Sequence, residues 1–145
     1  MGKNAKARGS LKQQMIEERK ELGIVQAVAK NIRMSPRKVR HVIDLIRGKS
    51  YEEALAVLQF TPNIAAEPII KVLKSAAANA DHNLSLDIEG LIVLECFVDC
   101  GFTFKRMHPT TMGRARIVRR RSSHITIKLA TKATKPRATR IGGTV

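Results

Sequence analysis

Four groups of residues in this 145-residue chain are of types that do chemistry. Ser122, Ser123 and His124 stand side by side, but no carboxylate is placed to orient the imidazole, so they make no nucleophilic triad. Asn79, Asp81, His82 and Asn83 form a polar cluster, and the break of a helical pattern there, at "DHNLS", explains it better than catalysis. Cys96 and Cys100 fall on one face of a strand pattern, about 13 Å apart at strand rise, too far for a disulfide. A lone Cys-x3-Cys pair with four scattered His is a poor zinc signal, so both are expected as buried thiols, with no metal and no cofactor. The fourth group is "FKRMHPTTMGRARIVRRR", Phe104 to Arg121, with seven Lys or Arg and no acid. Its chemistry is ionic: planar guanidinium forks that bind phosphate in pairs of hydrogen bonds and stack on flat surfaces.

The charge is not spread evenly. The chain carries 27 Lys or Arg against 12 Asp or Glu, a net +15. Residues 35–99 are nearly neutral, whereas residues 100–145 hold twelve basic residues and no acid. Such an end repels itself unless a polyanion supplies the counter-charge. Nucleic acid fits best. An anionic membrane surface fits less well, because neither end shows an amphipathic helix with bulky anchors. No apolar run approaches the length of a membrane span, and "MGKNAKARGSLKQQ" lacks the apolar core of a secretory signal and fails the myristoylation pattern at Lys6. Aromatic residues make up 3%, which argues against aromatic base stacking as the main mode of recognition.

These cations must be positioned by ordinary elements. Ser10 starts a short helical pattern that ends at Gly23, with only a thin apolar stripe. "IVQAVAKNIR", residues 24–33, reads as a strand with apolar side chains on both faces. Ser35 and Pro36 open a helix whose Val39, Val42, Ile43 and Ile46 make one apolar stripe, with Arg37, Arg40, His41, Asp44 and Arg47 opposite and Gly48 as its stop. Ser50 and Glu53 spell a capping box for a second helix with Ala54, Leu55 and Leu58 inward. Thr61-Pro62 restarts a third helix, about 62–82, whose inner face includes Ala66, Ile69, Ile70, Leu73, Ala77 and Ala80. Alternation returns over 88–104, with Ile92, Leu94, Cys96, Val98, Cys100, Phe102 and Phe104 on one face, and again over 114–129. The order β-α-α-α-β-β predicts an α+β domain: a three-stranded antiparallel sheet packed on three helices, over residues 24–129. A hairpin of about 101–122 protrudes from it, and basic segments flank it at 1–23 and 130–145.

"SPRKVRHVIDLIRGKSYEEALAVL", "KVLKSAAANADHN" and "FKRMHPTTMGRARIVRRRSSHITI" together resemble the universal large-subunit ribosomal protein number twenty-two, of bacterial and plastid type, from about Val28 to Leu129. The resemblance implies a domain on the outside of the large subunit, bound to its RNA, with a hairpin running inward to line the nascent-peptide exit tunnel. It implies RNA contacts from Arg33, Arg37, Lys38, Arg40, Arg47 and Lys49 before the second helix, and from His82 and Asn83. On the arm it implies contacts from Lys105, Arg106, Arg114, Arg116, Arg119, Arg120 and Arg121, with His124 below them. The tip facing the tunnel is Lys105, Arg106, Met107, His108, Pro109, Thr110, Thr111, Met112 and Gly113. The implied partners are large-subunit ribosomal RNA, neighbouring large-subunit proteins and the nascent polypeptide, in a bacterial cytosol or a plastid stroma, with no small-molecule substrate. One departure stands out: the family's tip usually reads Pro-Arg-Ala-x-Gly-Arg, whereas here Thr110, Thr111 and Met112 lie between Pro109 and Gly113-Arg114.

A DNA-compacting protein shares the charge and the two-stranded arm. An enzyme would need a Gly-rich phosphate loop, paired carboxylates or a metal set, and the sequence has none of these signatures.

Overall fold

A computed structural model of the chain describes residues 23–131. The expected N-terminal helix, and the basic tail beyond Thr131, lie outside the described residues. Strand β1 is Ile24–Ile32; helices α1, α2 and α3 are Pro36–Ile43, Tyr51–Phe60 and Ala66–Leu84; strands β2 and β3 are Leu91–Pro109 and Ala115–Thr131. The three strands form one antiparallel sheet in the order β1-β3-β2. The architecture is the expected α+β fold.

The central strand β3 is buried along its lower half, with Ile125, Ile127, Leu129 and Ala130 closed to solvent. Helix α3 packs across β1 and β3. Its buried face is Ala66, Ile69, Val72, Leu73, Ala76, Ala77 and Ala80, small enough toward the C-terminal end for close approach. Ile70, expected inward, is only half-buried, and Val72 and Ala76 complete the stripe instead. The helix starts at Ala66 rather than at Pro62, and Thr61–Ala65 make a connecting loop. It ends inside the expected break "DHNLS", two residues past 82: Asn83 and Leu84 are still helical, and the helix stops at Ser85 in a left-handed conformation, φ 50°.

Helix α1 begins at Pro36 as its sequence predicts, although the Ser35 hydroxyl makes no capping bond. It ends at Ile43, and a 3-10 turn carries the chain through Ile46. Val39, Val42, Ile43 and Ile46 are buried, as their spacing predicts, and Gly48 takes φ 74°. The capping box of α2 is complete: the Ser50 hydroxyl accepts from the Glu53 amide at 3.3 Å, and the Ser50 amide donates to the Glu53 carboxylate at 3.4 Å.

The strands bury their side chains differently from what simple alternation suggests. Burial of β1 is one-sided: Val25 and Ala27 face the helices, while Val28 is 44% exposed on the other side. In β2 the register shifts between Val93 and Glu95, so Leu94 is an inserted residue. The bulge switches the buried face from Leu91 and Val93 to Cys96 and Val98, and simple alternation cannot follow that. A second shift, between Cys100 and Thr103, takes the strand out of the core. Cys96 is therefore buried, but Cys100 is exposed, as are Phe102 and Phe104.

Candidate nucleic-acid interface

β1 stops pairing at Ile32–Ser123, and β2 and β3 continue without it. The result is a two-stranded arm over residues 103–121 with seven paired positions, about 23 Å at strand rise. Every residue from Phe104 to Arg121 is exposed. The register places Thr103, Lys105 and Met107 opposite Arg121, Arg119 and Ile117 on one face. On the other face Phe104, Arg106 and His108 stand opposite Arg120, Val118 and Arg116. Both faces thus combine cations with apolar side chains. Lys105 directly opposes Arg119, a like-charge pair that costs stability unless an anion lies between or beside them.

The arm ends in a tight turn. The Thr110 amide and hydroxyl both donate to the Arg114 carbonyl, at 2.8 Å and 2.9 Å. Met112 and Gly113 both take positive φ, 58° and 70°; that conformation is easy for glycine and costly for methionine. Met107, on the strand leading to the turn, and Met112, within it, stand out in solvent.

The neck of the arm is fixed by local contacts that the sequence did not display. Gly101 lies so close to β3 that a Cβ there would sit 2.6 Å from the Ser122 hydroxyl. That hydroxyl donates to the Phe102 carbonyl at 2.6 Å. His124, expected to touch RNA, accepts the Asn31 amide on Nδ1 at 2.9 Å. Asn31 has φ 58° in the irregular end of β1, so His124 holds the point where β1 leaves the arm.

Beside the neck runs an open groove of about 1390 Å³, larger than a typical small-molecule cleft. One wall is the arm, with Phe104, Arg106, Arg119, Arg120 and Arg121. The end of β1 and the start of α1 contribute Arg33, Ser35, Lys38 and His41, and the α2–α3 loop contributes Pro62, Asn63 and Ile64. Among the described residues, no Asp or Glu lines it. The guanidinium carbons of Arg33 and Arg106 lie 6.0 Å and 5.7 Å from the Phe104 ring centre, within cation–π range. Phe102 meets the same ring edge-on, with centres 4.9 Å apart. The groove therefore gathers Arg33 and Lys38 with the arm cations, as one basic surface.

The remaining expected residues are distributed differently. Arg40 donates from Nε and Nη2 to the Val98 carbonyl, at 3.3 Å and 2.9 Å. Arg47 donates to the Cys96 carbonyl at 3.1 Å and pairs with Asp44 at 2.9 Å. β2 is an edge strand, and these two side chains cap carbonyls that have no strand partner. Next to them, the Lys49 carbonyl accepts the Val93 amide and the Gly48 amide donates to the Val93 carbonyl, which blunts the same edge. Arg37 is exposed on α1 and has no such tie among the described residues. Burial pushes the Cys96 thiol up from its ordinary pKa, and the Arg47 guanidinium draws it part of the way back. His82 and Asn83 are exposed near the C-terminal end of α3. That end packs by the start of β1, where Asn79 reaches the Gln26 carbonyl, at the far end of the sheet from the arm.

Phe102, Phe104, Asn63 and Ile64 were not singled out for this surface by the sequence. Ile64 had one usable mark, since it is a bulky apolar residue that fits no helical stripe.

Residues 27–130 match the protein family described as ribosomal protein L22p/L17e. The chain is similar to proteins named large ribosomal subunit protein uL22. That of Desulforamulus reducens is 59% identical over 107 residues, 74% of this chain and 95% of the relative. That of Desulfitobacterium hafniense strain Y51 is 56% identical over 107 residues, 74% of this chain and 94% of the relative. That of Heliobacterium modesticaldum is 53% identical over 118 residues, 81% of this chain and 84% of the relative.

Proposed function

Since the chain belongs to the ribosomal protein L22p/L17e family and is a protein of the large ribosomal subunit, we propose that it binds large-subunit ribosomal RNA through the arm and the basic groove. The observation that carries this reading is the arm itself. It has two exposed faces, seven cations and no acid, and a like-charge pair at Lys105–Arg119. RNA phosphates packed on both faces relieve that repulsion, and the apolar Ile117 and Val118 gain contacts that the protein alone does not provide. Arg33, Arg37, Lys38, Arg106, Arg114, Arg116, Arg119, Arg120 and Arg121 are the principal contacts. Arg40 and Arg47 reach RNA only with the donors left over from their strand-edge bonds.

The protein has no chemistry of its own in this reading. It joins RNA segments during subunit assembly and contacts neighbouring subunit proteins. The tip, the turn from Met107 to Gly113, extends past the densest charge to line the nascent-peptide exit tunnel, whereas Lys105 and Arg106, grouped with it by sequence, stand level with Arg119 and Val118 nearer the neck. The bacterial relatives support a place in the ribosome of a bacterial cytoplasm.

The test is the salt dependence of binding to a transcribed fragment of large-subunit RNA. With about six to eight phosphates neutralised, log K falls against log salt with a slope steeper than roughly −4. Replacing Arg119 and Arg121 with Ser lowers the slope by about one to two units. A slope near zero would overturn the reading. Preferential association with bulk DNA over large subunits in high-magnesium gradients would favour the DNA-compacting alternative.

A further inference from the structure

We propose that the groove beside the neck receives an unpaired RNA nucleotide, its base between Ile64 and the guanidinium planes held by Phe104, and its phosphates on the arm cations. This deepens the RNA-binding reading above and rests on it.

The groove has two unlike sides. The arm side and Arg33 are cationic and carry no acid, which complements a phosphate chain. The loop side is Pro62 and Ile64, and Ile64 is 81% exposed. That exposure does not come from a loose loop. The Asn63 side-chain oxygen accepts the Ala65 amide at 2.9 Å, and its carbonyl accepts the Ala66 amide at 2.9 Å. Ala65 itself is buried. The turn thus holds a bulky aliphatic side chain into the groove, with Phe60, 87% exposed, close by in sequence.

A regular duplex presents phosphates and sugars at its surface. It satisfies the cationic wall and gains nothing from Ile64. An unpaired base satisfies both walls, because its face is apolar and flat while its own backbone is anionic. Arginine planes and apolar side chains are common platforms for such bases. Here Phe104 sits within cation–π range of two guanidinium groups, Arg33 and Arg106.

The experiment uses the full chain and three labelled RNA hairpins that share one stem. One stem is perfect, one carries a single bulged adenosine, and one carries the same bulge without its base. Fluorescence anisotropy is expected to show the adenosine bulge bound roughly tenfold more tightly than either of the others. Ile64→Ser should equalise the three by removing the preference for the adenosine bulge. Its thermal midpoint should stay unchanged, since the side chain is exposed. A photoreactive residue at position 64 should cross-link to RNA in assembled large subunits. Equal binding of all three hairpins by the unmodified protein overturns the inference while RNA binding stands. An Ile64→Ser protein that keeps the tenfold preference also overturns it, as does a cross-link to a neighbouring protein. Failure to bind any hairpin removes the RNA-binding reading and this inference with it.

Discussion

Arg40 and Arg37 sit three residues apart on the same helix, yet their side chains answer to different partners. Arg40 spends two donors on the Val98 carbonyl, whereas Arg37 has no such tie among the described residues. Arg40→Met is therefore expected to lower the stability of the folded chain by about 1–2 kcal/mol in urea unfolding, the size of a hydrogen bond with a charged partner. Arg37→Ser should leave stability alone and weaken RNA binding. Spacing placed both residues on the polar face of α1, but it held no mark of the strand edge that Arg40 meets. The neck holds two further single-residue tests. Gly101→Ala forces a Cβ against the Ser122 hydroxyl and should destabilise by about 1–3 kcal/mol. The Ser123 hydroxyl is fully buried and meets no hydrogen-bond partner among the described residues. Ser123→Ala is expected to be neutral or to stabilise by up to about 1 kcal/mol, since it removes an unsatisfied buried group. The two thiols should also separate. Cys100 should react promptly with a water-soluble thiol reagent, and Cys96 only as fast as the body opens.

The elements whose signals are local were readable in advance. The stripe of α1, the capping box of α2 and the alternation of "HITIKL" each depend on neighbours within a few residues. The faces of β2 were not, because one inserted residue at Leu94 reverses inside and outside and leaves no local mark. The end of α3 was legible to within two residues: it falls inside "DHNLS", where Asp81, His82 and Asn83 are poor helix formers by propensity. Tertiary packing of Ala76, Ala77 and Ala80 carries the helix the last turn to Leu84. The arm was legible as an excess of charge, but its groove was not, since three separate segments build it. Within the arm, flank and tip should divide the work. Replacing Arg116, Arg119, Arg120 and Arg121 with Ser should reduce incorporation into large subunits in gradient analysis. Replacing Thr111 and Met112 with Gly should leave incorporation intact and alter pausing of some nascent chains in ribosome profiles. The opposite pattern would reverse the proposed roles.

The molecule as a whole is a neutral body carrying a polycationic arm. Among the described residues the hydrophobic core is continuous across the helices and the lower sheet, and it stops at the neck. Above the neck, backbone pairing between β2 and β3 works against the repulsion of seven cations, with no apolar layer to support it. The central claim is that RNA completes this arm. Amide hydrogen exchange of the isolated protein and of the protein within assembled large subunits measures it directly. In the free protein, amides of Leu91–Cys100 and Ser123–Leu129 should be protected, while those of Met107–Arg119 exchange rapidly. In the subunit, Met107–Arg119 should become protected to the level of the body. Equal protection of the arm in the free protein, or continued rapid exchange of the arm in the subunit, would contradict it.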